Sequence, residues 1–305
     1  MGFNGWVIID KPSGLSSRNV VDIISRSINK KKVGHAGTLD PLASGVLPIA
    51  IGEATKTVRV LQSQEKSYTF TVKWGERTST DDKLGKIISK NNFRPKLREI
   101  KACLSNFLGE VDQVPPSFSA IKINGKRAYS LAREEKNFEI KSRKIFISSL
   151  YVVKSINADY CTFSCSCSKG TYIRAIARDL GIYLKCYAHI TSLRRTSIGK
   201  FSDKNAILLD LSVKLLHSST ILDNLISIND VLKGCPELKM SKIEENKLRN
   251  GQKLNLESLK YIDKEKMEYL INNKNEFMIC KYKNNPVCFF RIDNNNLTPV
   301  RVFNL

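Results

Sequence analysis

Apolar and polar positions alternate over residues 66–74, with Tyr68, Phe70, Val72 and Trp74 on one face and Thr69, Thr71 and Lys73 on the other. A period of two predicts a half-buried strand. The earlier run GWVIID (residues 5–10) reads as a strand, and Lys11-Pro12-Ser13-Gly14 as a turn. Ser16 or Ser17 then caps a helix with Val20, Ile24 and Ile28 on one face. Leu97, Ile100, Leu104, Phe107 and Leu108 follow helical spacing and stop at Gly109. Ile145, Ile147 and Val152 mark a further strand region, and YCTFSCSCS (160–168) follows it. After Gly170 a helical face recurs at Ile173, Ile176, Ala177 and Leu180, and residues 203–233 hold two short amphipathic segments. Strands mixed with helices throughout predict an α+β fold, mixed α/β in its core.

Around Gly234-Cys235-Pro236 the sequence turns rich in Asn and Lys, which divides the chain into residues 1–234 and 235–305. Strand-like runs FMICKYK, PVCFFRI and TPVRVF make the second part β-rich, with Asn clusters at 284–285 and 294–296 suited to turns. Uncharged runs are too short to span a membrane and no signal-peptide pattern opens the chain, so a cytoplasmic location is expected.

Charge narrows the partner. A net charge of +21 points to a polyanion. Only +4 of it lies in residues 236–305, so the excess sits on the larger part, which favours RNA or DNA contact over compositional drift. The eight cysteines form no CxxC pair and show no zinc-type spacing with His, so no metal site is expected. Cys161, Cys165 and Cys167 share parity and read as small buried hydrophobes in a strand.

The candidate chemistry concentrates in GHAGTLDPLASGVLPIAIGEATK, Gly34 to Lys56. Gly34 and Gly37 open backbone angles closed to other residues, and Pro41 fixes the chain after the lone carboxylate Asp40. Nothing from Leu42 to Ile51 is charged, so the segment presenting Asp40 is anchored in a core. This run resembles the signature of the TruB family of tRNA pseudouridine synthases. Four further segments resemble that family in order and spacing: GWVIIDKPSGLSS, LQSQEKSYTFTVKWGERTSTDD, QVPPSFSAIKINGKRAYSLAR, and the pair CSKGTYIRAIARDLG with AHITSLRRTSIGKF. Together they span most of residues 5–201.

The resemblance implies a pseudouridine synthase fold, a central mixed β-sheet with flanking helices, followed by a small β-rich, PUA-like RNA-binding domain. It implies that Asp40 is catalytic, paired with Arg174, and that Tyr68 stacks on the target uracil beside Leu193. It also implies that His35 helps flip the base from the RNA, with Tyr172 lining the same pocket. Residues 113–135 match an RNA-contacting insertion of stand-alone bacterial members. Lys122, Lys126, Arg127, Arg133, Arg194 and Arg195 are candidates for phosphate contacts. Detaching uracil at N1, turning it and rejoining it through C5 requires neither a redox cofactor nor a metal, and none is expected. The implied activity is isomerisation of uridine 55 in the TΨC arm of tRNA, by a monomer without an obligatory protein partner. A guide-RNA-dependent synthase and an RNA-binding tRNA folding helper stand as the alternatives.

Overall fold

The computed structural model describes residues 3–29, 32–134, 138–209, 216–262, 264–272 and 277–305. Among them, a ten-stranded mixed sheet forms the larger part of the molecule. Its main path runs Ile207–Leu208, Gly5–Lys11, Ser44–Ile51, Ala188–Ile198, Lys66–Trp74, Tyr160–Cys167, Arg143–Ser155, Gly109–Gln113. Val33–His35 and Phe201–Ser202 pair at its sides. Most neighbours are antiparallel, but Ala188–Ile198 lies parallel to Ser44–Ile51 through only two positions, Arg194 beside Ser44 and Arg195 beside Gly45. The Gly45 backbone has φ +100°, and a Cβ there would collide with the Arg195 carbonyl. Only glycine lets these two strands meet.

The N-terminal strand is apolar on both faces because both are covered. Val7 and Ile9 pack with Val20, Ile24, Ile176 and Leu180 from the helices Ser17–Ser27 and Ile173–Tyr183. Trp6 and Ile8 face the other way, into a second core with Val231, Ile279, Phe289 and Phe303. The predicted alternation at 66–74 appears as strict burial of every second residue. Phe70 stacks on Phe163 at 5.4 Å between ring centroids, and Trp74 meets Phe163 edge-on at 6.1 Å. Cys161, Cys165 and Cys167 line the same buried face as Phe163.

Ser16 caps the first helix through a reciprocal pairing with Asn19. The run at 97–108 differs from the single helix expected: Leu97–Cys103 is α-helical, Leu104–Phe107 tightens into a 3₁₀ turn, and Leu97 and Leu108 are exposed. The basic stretch after Pro116 folds as a two-rung hairpin, Lys122–Ile123 with Lys126–Arg127, followed by the short helix Ala128–Arg133. Glu135, the last residue of the expected insertion, lies outside the described residues, as do 210–215 within the 203–233 region.

A second sheet takes its five strands from Glu237–Lys239, Met278–Tyr282, Asn285–Asp293, Asn296–Val302 and Leu254–Asn255, in that order. Asn284, Asn294 and Asn295 occupy its turns with positive φ. Glu53, in the larger part, fixes the end of the chain: Oε2 accepts the Asn304 N–H at 2.7 Å, while Lys32 and Lys56 pair with the same carboxylate at 2.6 Å each. Burial opposes the charge on Glu53, but the Asn304 N–H and the two lysines outweigh it and hold its pKa down at about 2.

Candidate active site

Asp40 sits in a loop that other segments pin at several points. Ser17 Oγ accepts the Leu39 N–H at 2.8 Å and donates to the Leu39 carbonyl at 3.0 Å. The Gly14 N–H donates to the Pro41 carbonyl at 2.7 Å, and Ser13 Oγ to the Leu42 carbonyl at 2.8 Å. Residues 13–17 therefore brace the loop directly around the carboxylate. Leu39, Leu42 and Ala43 are buried beneath it, while the Asp40 side chain keeps 37% of its surface open. It borders an open cleft of about 900 Å³, lined also by Tyr68, Tyr172, Arg174, Leu193 and Arg195.

Arg174 is buried, in the first turn of its helix, with Nε 2.8 Å from Asp40 Oδ2. The Nε–H is off the line to the oxygen, so this is a close charge pair rather than a linear hydrogen bond. The two terminal nitrogens are committed elsewhere: Nη1 donates to the Thr80 carbonyl at 2.8 Å and Nη2 to the Phe118 carbonyl at 3.0 Å. Such a guanidinium cannot swing away from Asp40 without breaking both of these hydrogen bonds. Asp82 Oδ2 lies 3.9 Å from the same Nε, while the other carboxylate oxygen, Oδ1, accepts from the Thr80 hydroxyl and the Leu84 N–H.

Tyr68 opens onto the cleft near the start of its strand, opposite Arg195 in register. Burial pushes its phenol above the usual value, although the nearby Arg195 guanidinium pulls the other way. Leu193 is buried on the same side of its strand as Arg195, and both border the cleft. Tyr172 caps the Arg174 helix; its ring lies under the Arg143 guanidinium at 4.8 Å, and its backbone exchanges two hydrogen bonds with the Gln113 amide.

One phosphate candidate, Arg195, takes a correction. Arg195 is 1% exposed, its Nε donating to the Val46 carbonyl at 2.7 Å and its Nη2 to the Gly37 carbonyl at 3.0 Å. It is a cation of the cleft floor, because strand alternation turns it inward with Leu193. Arg194 turns outward but is held bidentately by Asp10, at 2.9 and 2.7 Å, and by Asp203 at 3.0 Å. Lys122, Lys126, Arg127 and Arg133 are exposed on the 113–134 segment, and Arg133 borders the cleft. His35 ends a strand outside the residues that line the cleft, with a buried Nδ1 that has no partner among the described residues. Burial, then Arg195 and Arg18, depress its pKa. Of the two glycines singled out before Asp40, Gly37 adopts φ +86° and lies against Arg195, whereas Gly34 is an ordinary strand residue.

Lys11 and Lys66 carry no role in the sequence reading of the site, yet both are buried near it. Burial, then opposing effects of Asp40 and Arg195, brings Lys11 down to about 8, and burial followed by Arg195 does the same for Lys66. Parity was the available signal: Lys11 follows Val7 and Ile9, and Lys66 precedes Tyr68 and Phe70. Lys66 and Arg195 thus line the cleft beside Asp40 and Tyr68, with Lys11 buried nearby.

The pattern of the TruB family pseudouridylate synthase N-terminal domain matches residues 25–173. That of the tRNA pseudouridylate synthase B C-terminal domain matches residues 174–230. The tRNA pseudouridine synthase B of Ehrlichia ruminantium is 43% identical over 99% of both chains. That of Caulobacter sp. strain K31 is 41% identical over 85% of each. A crystal structure of a Cbf5–Nop10–Gar1 complex contains a chain of the same fold, with a TM-score of 0.71 at 20% identity, over 98% of this chain and 84% of that one. By its sequence, the chain belongs to the TruB family of pseudouridine synthases.

Proposed function

We propose that this chain is a stand-alone tRNA pseudouridine synthase that isomerises uridine 55 of the TΨC arm, with Asp40 as its catalytic carboxylate. The observation that carries the reading is the Asp40–Arg174 pair at 2.8 Å, at the edge of a cleft bordered by Tyr68 and Leu193. Relatives over nearly the full chain are tRNA pseudouridine synthases B, which supports tRNA as substrate.

The reaction breaks the N1–C1′ bond, turns the uracil and forms C5–C1′; C5 loses a proton and N1 gains one, so no atoms are added or lost overall. A carboxylate held in one orientation beside a guanidinium serves this chemistry at C1′, at C6 or through a glycal. Tyr68, with its raised pKa, keeps a neutral phenol next to the base and offers a flat face for stacking. The target uridine must leave its stack to reach Asp40, at a cost of a few kcal/mol. In this reading His35 assists that extrusion, and Lys122, Lys126, Arg127 and Arg133 neutralise phosphates along the insertion. The 235–305 unit serves as a PUA-like RNA-binding domain, and the enzyme works in the cytoplasm as a monomer, without obligatory protein partners.

The test incubates purified protein alone with unmodified tRNA and maps pseudouridine by carbodiimide-based primer extension. A single stop at uridine 55 supports the reading. Tight tRNA binding without a stop overturns it in favour of a partner-dependent enzyme or a folding helper.

A further inference from the structure

Arg178 lies one helical turn beyond Arg174 and repeats its pattern of contacts. Arg174 meets Asp40 and donates to the carbonyls of Thr80 and Phe118. Arg178 meets Asp81, Nη1 to Oδ2 at 3.3 Å, its Nη2 donates to the Val114 carbonyl at 2.7 Å, and its Nε pairs with the adjacent Asp179 at 2.8 Å. Both guanidiniums are buried, and both bridge the same two segments, residues 78–82 and residues 113–118. Gln113 adds a third rung through its amide pairing with the Tyr172 backbone. The root of the insertion is thereby fastened to the helix at Tyr172, Arg174 and Arg178.

Asp81 does more than neutralise Arg178. Its backbone sits in the left-handed region at φ +59°, which Asp, like Asn, tolerates better than other residues with a Cβ. Its carbonyl accepts the Ile190 N–H at 3.2 Å, which ties the loop to the strand that carries Leu193 and Arg195. The carbonyl that orients Arg174 belongs to Thr80, the residue just before Asp81. Arg77 also reaches Asp81, at 3.8 Å to Oδ1, but the Arg178–Asp81 contact is the one that joins this loop to the helix carrying Arg174.

We propose that Arg178 is a positioning residue for the reaction: it holds Asp81 and the Val114 carbonyl so that Thr80 and Phe118 present their carbonyls to Arg174 and fix its Nε against Asp40. The proposal rests on the function proposed above. Arg178 touches no reacting atom, so its effect falls on the chemical step and not on tRNA affinity.

The experiment measures single-turnover pseudouridine formation at saturating tRNA, the Kd for tRNA by filter binding and the thermal midpoint, for the wild type, Arg178→Met, Arg178→Lys, Asp81→Asn and the double variant Asp81→Asn/Arg178→Met. The expected result is a rate loss of about 10- to 100-fold in Arg178→Met, with Kd within about threefold of wild type. Arg178→Lys, which keeps the charge facing Asp81, recovers part of that rate, and the double variant is no slower than the slower single. Should Arg178→Met fail to fold, Arg178→Lys and Asp81→Asn still carry the test through the rate measured against Kd. Wild-type rates in folded variants would overturn the proposal. So would parallel losses of rate and affinity that follow the thermal midpoint, since those mark a purely structural residue. A wild type that binds tRNA but forms no pseudouridine refutes the proposed function instead, and is read separately from the variants.

Discussion

Ser17 and Leu39 are joined twice, the serine hydroxyl accepting from the Leu39 N–H and donating to its carbonyl, so both backbone polar groups of the residue before Asp40 are satisfied by one side chain. Ser17→Ala leaves both backbone groups buried without partners. The expected cost is about 2 kcal/mol or more in urea unfolding, together with a slower single-turnover rate at unchanged tRNA affinity. An alanine variant with wild-type stability would show that the loop relaxes to other partners.

Asp40→Asn keeps the size of the side chain but removes the charge that faces Arg174. Pseudouridine formation is expected to vanish while the tRNA complex persists, as read by primer extension and filter binding on the same preparation. Turnover by the asparagine variant would refute the assignment of Asp40 as the catalytic group.

Gly45→Ala places a methyl group against the Arg195 carbonyl, at a backbone angle that side chains rarely adopt. Here the obstruction is backbone, which has little room to give. A loss of about 3 kcal/mol or more is expected, with Arg195 displaced from the cleft floor and activity lost together with stability. Gly14→Ala, where open space surrounds the missing Cβ, is the control for the backbone term alone.

Glu53 gives the fold an acid-sensitive fastening. Because its folded pKa is lowered to about 2, it contributes stability that is fully present above its ordinary value near 4.5 and is lost as pH falls toward 2. Its contribution to the slope is at most about 1.4 kcal/mol per pH unit. Comparing urea unfolding of the wild type with Glu53→Gln at pH 6, 4 and 2.5 should show the wild-type advantage shrinking through that window. An advantage independent of pH would mean that hydrogen bonding to Asn304, rather than charge, does the holding.

Much of the fold was legible because burial follows parity. The alternation at Tyr68–Trp74 and the cysteines of the neighbouring strand needed only the period of a sheet. The Asp40–Arg174 pairing came from resemblance, and the geometry agrees with it. Arg195 was the instructive miss. Two adjacent arginines in a basic protein look like one surface feature, but in a strand they must face opposite ways. Since Leu193 was expected in the pocket, Arg195, two residues on, belonged there with it. Arg178 was invisible for a different reason: its partners Asp81 and Val114 are far away in sequence, and no local pattern announces a contact set by tertiary packing. The break in the 97–108 helix also lay beyond periodicity, which does not distinguish an α-turn from a 3₁₀ turn.

The contact between Gly37 and Arg195 spans 158 residues, and that between Val46 and Arg195 spans 149. Loop-closure entropy must be overcome before such contacts contribute, so folding of the catalytic part should be governed by its long-range strand pairing. During synthesis the loop bearing Asp40 emerges early, whereas the strand that completes its floor arrives only after most of the larger sheet has been made. A nascent chain ending before residue 188 would carry every residue of the Asp40 signature and still possess no active site.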